Sequence, residues 1–134
     1  MFALDTNVLV RLLVDDPSDP GQCAAARSFV ASQKHVLVPE AVLLETVWVL
    51  QSKFGLTRRD VGRVLSEIKT NVRYRMERPA LAQAAIDRYV KASVDFGDCL
   101  IHAACDAASA ELVTFDRLLS KVPGINLLTS KGIQ

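Results

Sequence analysis

The chain alternates short apolar runs with longer stretches of helical spacing, and that order restricts its fold more than any other feature. Residues 1–4, 36–38, 112–115 and 125–128 are apolar runs too short for a helix. Residues 72–76 alternate Val72, Tyr74 and Met76 with Arg73 and Arg75, the period of a strand with one wet face. Between these runs the spacing predicts helices over 7–15, 20–33, 39–54, 58–71, 79–93 and 98–108. Their ends carry physical punctuation. Pro20, Pro39 and Pro79 stand at helix openings, where a missing N–H costs nothing, Thr57 is a natural N-cap, and Gly55 takes the C-cap role. Strands joined through helices need crossover connections. The expectation is an α/β fold: a single domain over 1–134 with a mainly parallel central sheet of about five short strands flanked by helices.

A chain of 134 residues suits one domain, and at that size it buries roughly two-thirds of its unfolded surface. Half of the residues are apolar and 23% are charged, which excludes disordered, collagen-like and low-complexity chains. Asp5, Pro39, Glu40 and Glu45 interrupt the apolar stretches, so none reaches the roughly 20 residues of a membrane span. The first residues show neither a basic leader nor a small-residue cleavage site, so the expected location is the cytoplasm, without a membrane partner. Cys23, Cys99 and Cys105 form no CxxC pair, which argues against a disulfide framework or a zinc knuckle; Cys99 and Cys105 are expected in the core.

The formal net charge is +1, but the charges are unevenly spread. Lys53, Arg58, Arg59, Arg63, Lys69, Arg73, Arg75 and Arg78 face only Asp60, Glu67 and Glu77 within one segment. Such a segment suits a phosphate backbone, and Arg58, Arg59 and Arg63 are its candidate RNA-binding residues. It equally suits a solvated helix face with pairs such as Arg63–Glu67.

The carboxylates carry more information. In open α/β sheets ligands bind beyond the carboxyl ends of the strands. Asp5 ends the first predicted strand, Asp116 follows the fourth, and Asp98 lies in the first turn of a helix. Each has a plain alternative as a cap: Asp5 with Thr6 and Asn7, Asp95 with Asp98, and Asp116 over Arg117 to Ser120. Glu45 lies mid-helix, where capping does not apply, among Val42, Leu43, Leu44, Val47 and Trp48. Buried there unpaired it would cost several kcal/mol. It therefore calls for a cation, a cleft or a buried arginine. With no histidine–cysteine cluster beside them, these acids select a hard cation, Mg²⁺ or Mn²⁺, over zinc.

Asp5-Thr6-Asn7 after a short N-terminal strand, Glu45 in an apolar helix, Asp95-Phe96-Gly97-Asp98-Cys99-Leu100-Ile101 and Thr114-Phe115-Asp116 together resemble a PIN-domain nuclease. The longer stretch Asp5 to Arg11, followed by Asp15-Asp16-Pro17, resembles the VapC-type toxins of toxin–antitoxin pairs. The resemblance implies that Asp5, Glu45, Asp98 and Asp116 form a catalytic quartet holding Mg²⁺ or Mn²⁺ and ordering the attacking water. Thr6, Asn7, Asp95 and Thr114 match its supporting positions. His102, one helical turn past Asp98, is read as supporting or structural, and His35 as a surface residue.

The leading expectation is thus a metal-dependent endoribonuclease that hydrolyses phosphodiester bonds by metal-activated water. The resemblance further implies an RNA substrate, a VapB-like antitoxin as partner, and a homodimer. Two other classes remain open. A phospho-acceptor regulatory domain also places acids at strand ends, but needs a lysine that the motifs do not supply. A catalytically silent PIN-like scaffold for RNA or protein would be expected to lose one of the four acids.

Overall fold

A computed structural model describes all residues from Met1 to Gln134. They form two compact units, Met1–Pro79 and Ala80–Gln134.

The first unit runs β1 (Phe2–Ala3), α1 (Thr6–Leu13), α2 (Pro20–Ala31), β2 (Val36–Val38), α3 (Glu40–Ser52), α4 (Arg58–Thr70) and β3 (Tyr74–Met76). Its sheet has the order β1-β2-β3 and is parallel throughout, with Phe2 opposite Val36 and Val36 opposite Tyr74. Parallel neighbours cannot be joined by a tight turn, so each connection is a pair of helices. β2 is central, and burial of Val36 and Val38 explains why its run is apolar without alternation. Leu9 and Val10 from α1, Leu43, Val47 and Leu50 from α3, and Val61, Leu65 and Ile68 from α4 complete the core.

The turns are chemically specified. Asp19 caps α2 by accepting from the Gln22 amide at 3.0 Å, and Thr57 caps α4 by accepting from the Asp60 amide at 3.2 Å. Gly55 adopts φ +64 after α3, a left-handed conformation that a side chain would oppose. Between α1 and α2, Asp16 accepts from the Ser18 amide at 3.0 Å and its hydroxyl at 2.5 Å. These bonds hold the Asp16 carboxyl below its usual range, the hydroxyl contributing most.

β3 starts at Tyr74 rather than Val72, because Asn71 captures the local amides. Its side chain accepts from Arg73 N at 3.0 Å and its carbonyl from Tyr74 N at 3.1 Å, which leaves Val72 in solvent. Much of the basic segment is consumed structurally. Arg73 donates to the carbonyls of Val30, Ala31 and Gln33 at the end of α2. Arg78 makes a two-pronged pair with Glu40 at 2.7 and 2.8 Å. The Arg75 guanidinium lies 3.1 Å from the half-buried His35 ring. Arg63 pairs with Asp60 at 3.8 Å, one turn towards the N-terminus, instead of with Glu67.

The second unit contains α5 (Pro79–Lys91), α6 (Phe96–Ala107), β4 (Leu112–Thr114), a 3₁₀ turn (Leu119–Lys121), β5 (Ile125–Thr129) and β6 (Gly132–Ile133). β4 and β5 are parallel, with Leu112 opposite Ile125, and β6 returns antiparallel on β5. Tyr89 of α5 and Phe96 of α6 meet edge to face at 5.6 Å, both fully buried.

All five expected strands are present, in a mixed α/β architecture. Two details differ from the expectation. A sixth strand follows β5 through a hairpin too short to show a period, closed by Gly132 at φ +104 and the bond from Lys131 N to Thr129 Oγ1 at 3.2 Å. Hydrogen bonding gathers the strands into two three-stranded sheets rather than one. None of the cysteines forms a disulfide; Cys23 and Cys99 are buried, and Cys105 is only half-buried. No helix is long and apolar enough to cross a membrane.

Candidate active site

In the first unit the end of β1 delivers Asp5 to the N-terminus of α1. Its Oδ1 accepts from the Thr6 amide at 2.8 Å, so the capping role is real, and it engages one oxygen. Glu45 is exposed, not buried, and makes no ion pair. Of the expected cation, cleft or buried arginine, the arginine partner is absent and a cleft is present. α3 keeps Leu43, Val47 and Leu50 inward while Leu44, Glu45 and Trp48 face solvent, so a helix apolar in sequence still has a wet side.

Asp5, Thr6, Asn7 and Glu45 line one cleft of about 270 Å³. Arg11 and Lys53 line it too, residues that the sequence reasoning did not assign to the site. A signal was available: Glu45, Val49 and Lys53 repeat every fourth residue, and Arg11 follows Asn7 by four, so each set shares a helix face. The Arg11 Nη1 donates to the Asn7 carbonyl at 3.3 Å. Two polar atoms of the lining residues are buried without a hydrogen-bond partner, the Thr6 hydroxyl and the Arg11 Nε. A group left so costs about 1–3 kcal/mol unless something satisfies it.

In the second unit Asp95 caps α6, accepting from Gly97 N at 3.1 Å, and Asp98 follows in the first turn. Asp116 lies just past β4. Its Oδ1 accepts from the amides of Leu118 at 2.9 Å and Leu119 at 3.1 Å, and its own amide donates to Thr114 Oγ1 at 3.0 Å. Thr114 thus shapes the turn that presents Asp116. The Asp98 carboxyl is pushed above its usual range, first by burial and then by the negative charges of Asp95 and Asp116. Acids crowded in this way accept a proton or a cation readily.

His102, one turn beyond Asp98, is buried with its Nε2 3.9 Å from Asp106 Oδ1. Asp106 in turn pairs with Arg88. His102 and Asp98 both line a largely apolar cavity of about 220 Å³ with Cys99, Leu119, Val122 and Ile125.

No three His, Cys, Asp or Glu side chains draw together tightly enough to hold a metal ion through protein atoms alone. The donors beside the unsatisfied Thr6 hydroxyl are instead carboxylate oxygens with no nitrogen or sulfur ligand among them. Mg²⁺ fits that set, because it keeps several of its waters and needs only one or two carboxylates.

The fold and these acids define a class, and the sequence comparison identifies it. A family model described as the PIN domain matches residues 2–125, and the chain belongs to the PIN domain family, whose members are typically nucleases. Among solved structures, it is similar to VapC20 of Mycobacterium tuberculosis, described as a sarcin-ricin loop cleaving toxin. That likeness has 19% sequence identity and a TM-score of 0.45, and covers 92% of this chain and 96% of that one. No curated protein matches the sequence.

Proposed function

We propose that the chain is a Mg²⁺- or Mn²⁺-dependent endoribonuclease and the toxin of a toxin–antitoxin pair, with residues 1–134 acting as one cytoplasmic PIN domain. The observation that carries this reading is the family match, which runs from residue 2 to 125 and so includes Asp5, Glu45, Asp98 and Asp116. In this reading those four acids hold the ion, and Thr6, Asn7, Asp95 and Thr114 support them. Bound there, the ion would supply Lewis-acid activation of water and charge neutralisation at the scissile phosphate.

The protein's own contribution is presentation. Asp5 and Asp116 each engage one carboxyl oxygen with backbone amides and leave the second free. Burial and the neighbouring acids raise the Asp98 carboxyl above its usual range, which would favour a cation beside it. Arg58, Arg59 and Arg63 at the start of α4 extend the contact to RNA, with Arg59 and Arg63 exposed. A VapB-like antitoxin covers the acids, and the toxin forms a homodimer. Lys53 does line the cleft of Asp5, the element that a phospho-acceptor domain needs, but the PIN family match supports the nuclease reading over that alternative.

The test is cleavage of a structured RNA by purified, antitoxin-free protein. Activity should require Mg²⁺ or Mn²⁺ and vanish with a chelator. Undiminished cleavage in excess chelator, with contaminating nuclease excluded, would overturn the metal-dependent reading.

A further inference from the structure

The cleft in the first unit holds two acids and two bases that do not neutralise one another. Arg11 and Lys53 line it with Asp5 and Glu45, yet neither base forms an ion pair with either acid. Opposite charges on neighbouring flexible side chains usually pair unless each is positioned for something else. Arg11 is fixed by its bond to the Asn7 carbonyl, and its Nε is buried without an acceptor. The Lys53 ammonium lies 5.6 Å from the Phe54 ring centre, and Phe54 also lines the cleft. Each helix therefore brings one acid and one base to the cleft, Asp5 and Arg11 with α1 and Glu45 and Lys53 with α3, and both bases also act on the nearby Asp16. A phosphodiester joined to a divalent cation is a ligand that needs both. The apolar flank of Val10, Val49 and Phe54 suits a sugar or an unstacked base of a single strand.

We propose that Arg11 and Lys53 bind the RNA backbone phosphate seated in this cleft. The proposal rests on the nuclease reading and deepens it. Binding through Arg11 and Lys53 does not require the ion, so it can be measured with the ion removed.

The experiment is fluorescence anisotropy of a short single-stranded RNA in excess chelator, over a range of salt. It compares the parent with Arg11→Gln, Lys53→Gln and the charge-preserving Arg11→Lys and Lys53→Arg. Each glutamine variant should bind on the order of tenfold more weakly, and its log–log salt slope should fall by about 0.7. The charge-preserving variants should recover most of the affinity. Lys53 is exposed, so its variants test the proposal even if Arg11→Gln melts early. A parent that binds, with both glutamine variants folded and unchanged in affinity and slope, would overturn this proposal and leave the nuclease reading intact. A parent that neither binds nor cleaves RNA in any metal would overturn both.

Discussion

The acids of the two units are kept in different company. Asp5 and Glu45 share a cleft with Arg11 and Lys53, so that pocket mixes signs. Burial acts most on Asp98 and the negative charges of Asp95 and Asp116 add to it, while Arg88 and Lys91 also line its cavity. Opposite charges offset one another in the first cleft, whereas burial and neighbouring acids favour the neutral form of Asp98. The difference is one of surroundings: Asp5 and Glu45 lie beside cationic side chains, whereas burial and two neighbouring acids act on Asp98.

The largest expected effect is on chemistry. Asp5→Asn, Glu45→Gln, Asp98→Asn and Asp116→Asn should each lower single-turnover RNA cleavage by about 100-fold or more, the scale for removing one preorganised charge. Asparagine retains an acceptor for the Thr6, Leu118 and Leu119 amides, so loss of the turns does not explain the result. An Asp98 variant that cleaves like the parent would remove Asp98 from the proposed quartet.

Stability sharpens the comparison. The folded state holds a proton on Asp98 more tightly than the unfolded chain does. Ionised Asp98 therefore costs stability, and that cost sets in as pH rises from the ordinary value of 3.8 through the raised folded one. Asp98→Asn should raise the melting temperature of chelated protein at neutral pH by a few degrees, corresponding to about 1 kcal/mol at most. It should also flatten the melting curve against pH over that interval. Asp16, with its lowered value, runs the other way: its stabilisation is complete above 3.8 and is lost as pH falls through the folded value. Mg²⁺ should raise the parent's melting temperature more than that of Asp98→Asn, because a ligand of the folded state alone stabilises it.

Glu45→Gln should fall within about 0.5 kcal/mol of the parent in chelator, as expected for an exposed, unpaired side chain. A loss of roughly 3–5 kcal/mol, as for a broken buried pair, would contradict its exposure. The smallest effect is expected at Arg59, whose charge reversal should weaken RNA binding a few-fold and lower the salt slope by about one. An unchanged slope would return α4 to the role of a solvated surface.

Much of this was legible in the sequence because the signals are local. Proline, glycine and threonine mark helix ends through their own backbone chemistry, and the short apolar runs became strands where expected. What escaped depends on which face a helix turns inward. Glu45 looked buried because α3 is apolar all round, and only packing reveals that Leu44 and Trp48 share its wet side. The basic segment looked like one surface, yet Arg73 binds the end of α2 and Arg78 binds Glu40, partners about forty residues away that no spacing rule reaches. Lys53 alone of that segment lines the cleft with Asp5. The aspartates were legible both as caps and as ligands, and the capping half is now seen directly.

The turn after β4 bears on what evolution can exchange at Asp116. Both backbone amides that hold its Oδ1 lie two and three residues ahead, so side-chain length is fixed by the turn itself. Glutamate would keep the charge and add a methylene, moving the oxygens off those amides. The carboxylate surrendered its rotational freedom when the loop closed, so its second oxygen is held in one orientation. An aspartate-to-glutamate change here is therefore a change of geometry that leaves the charge in place.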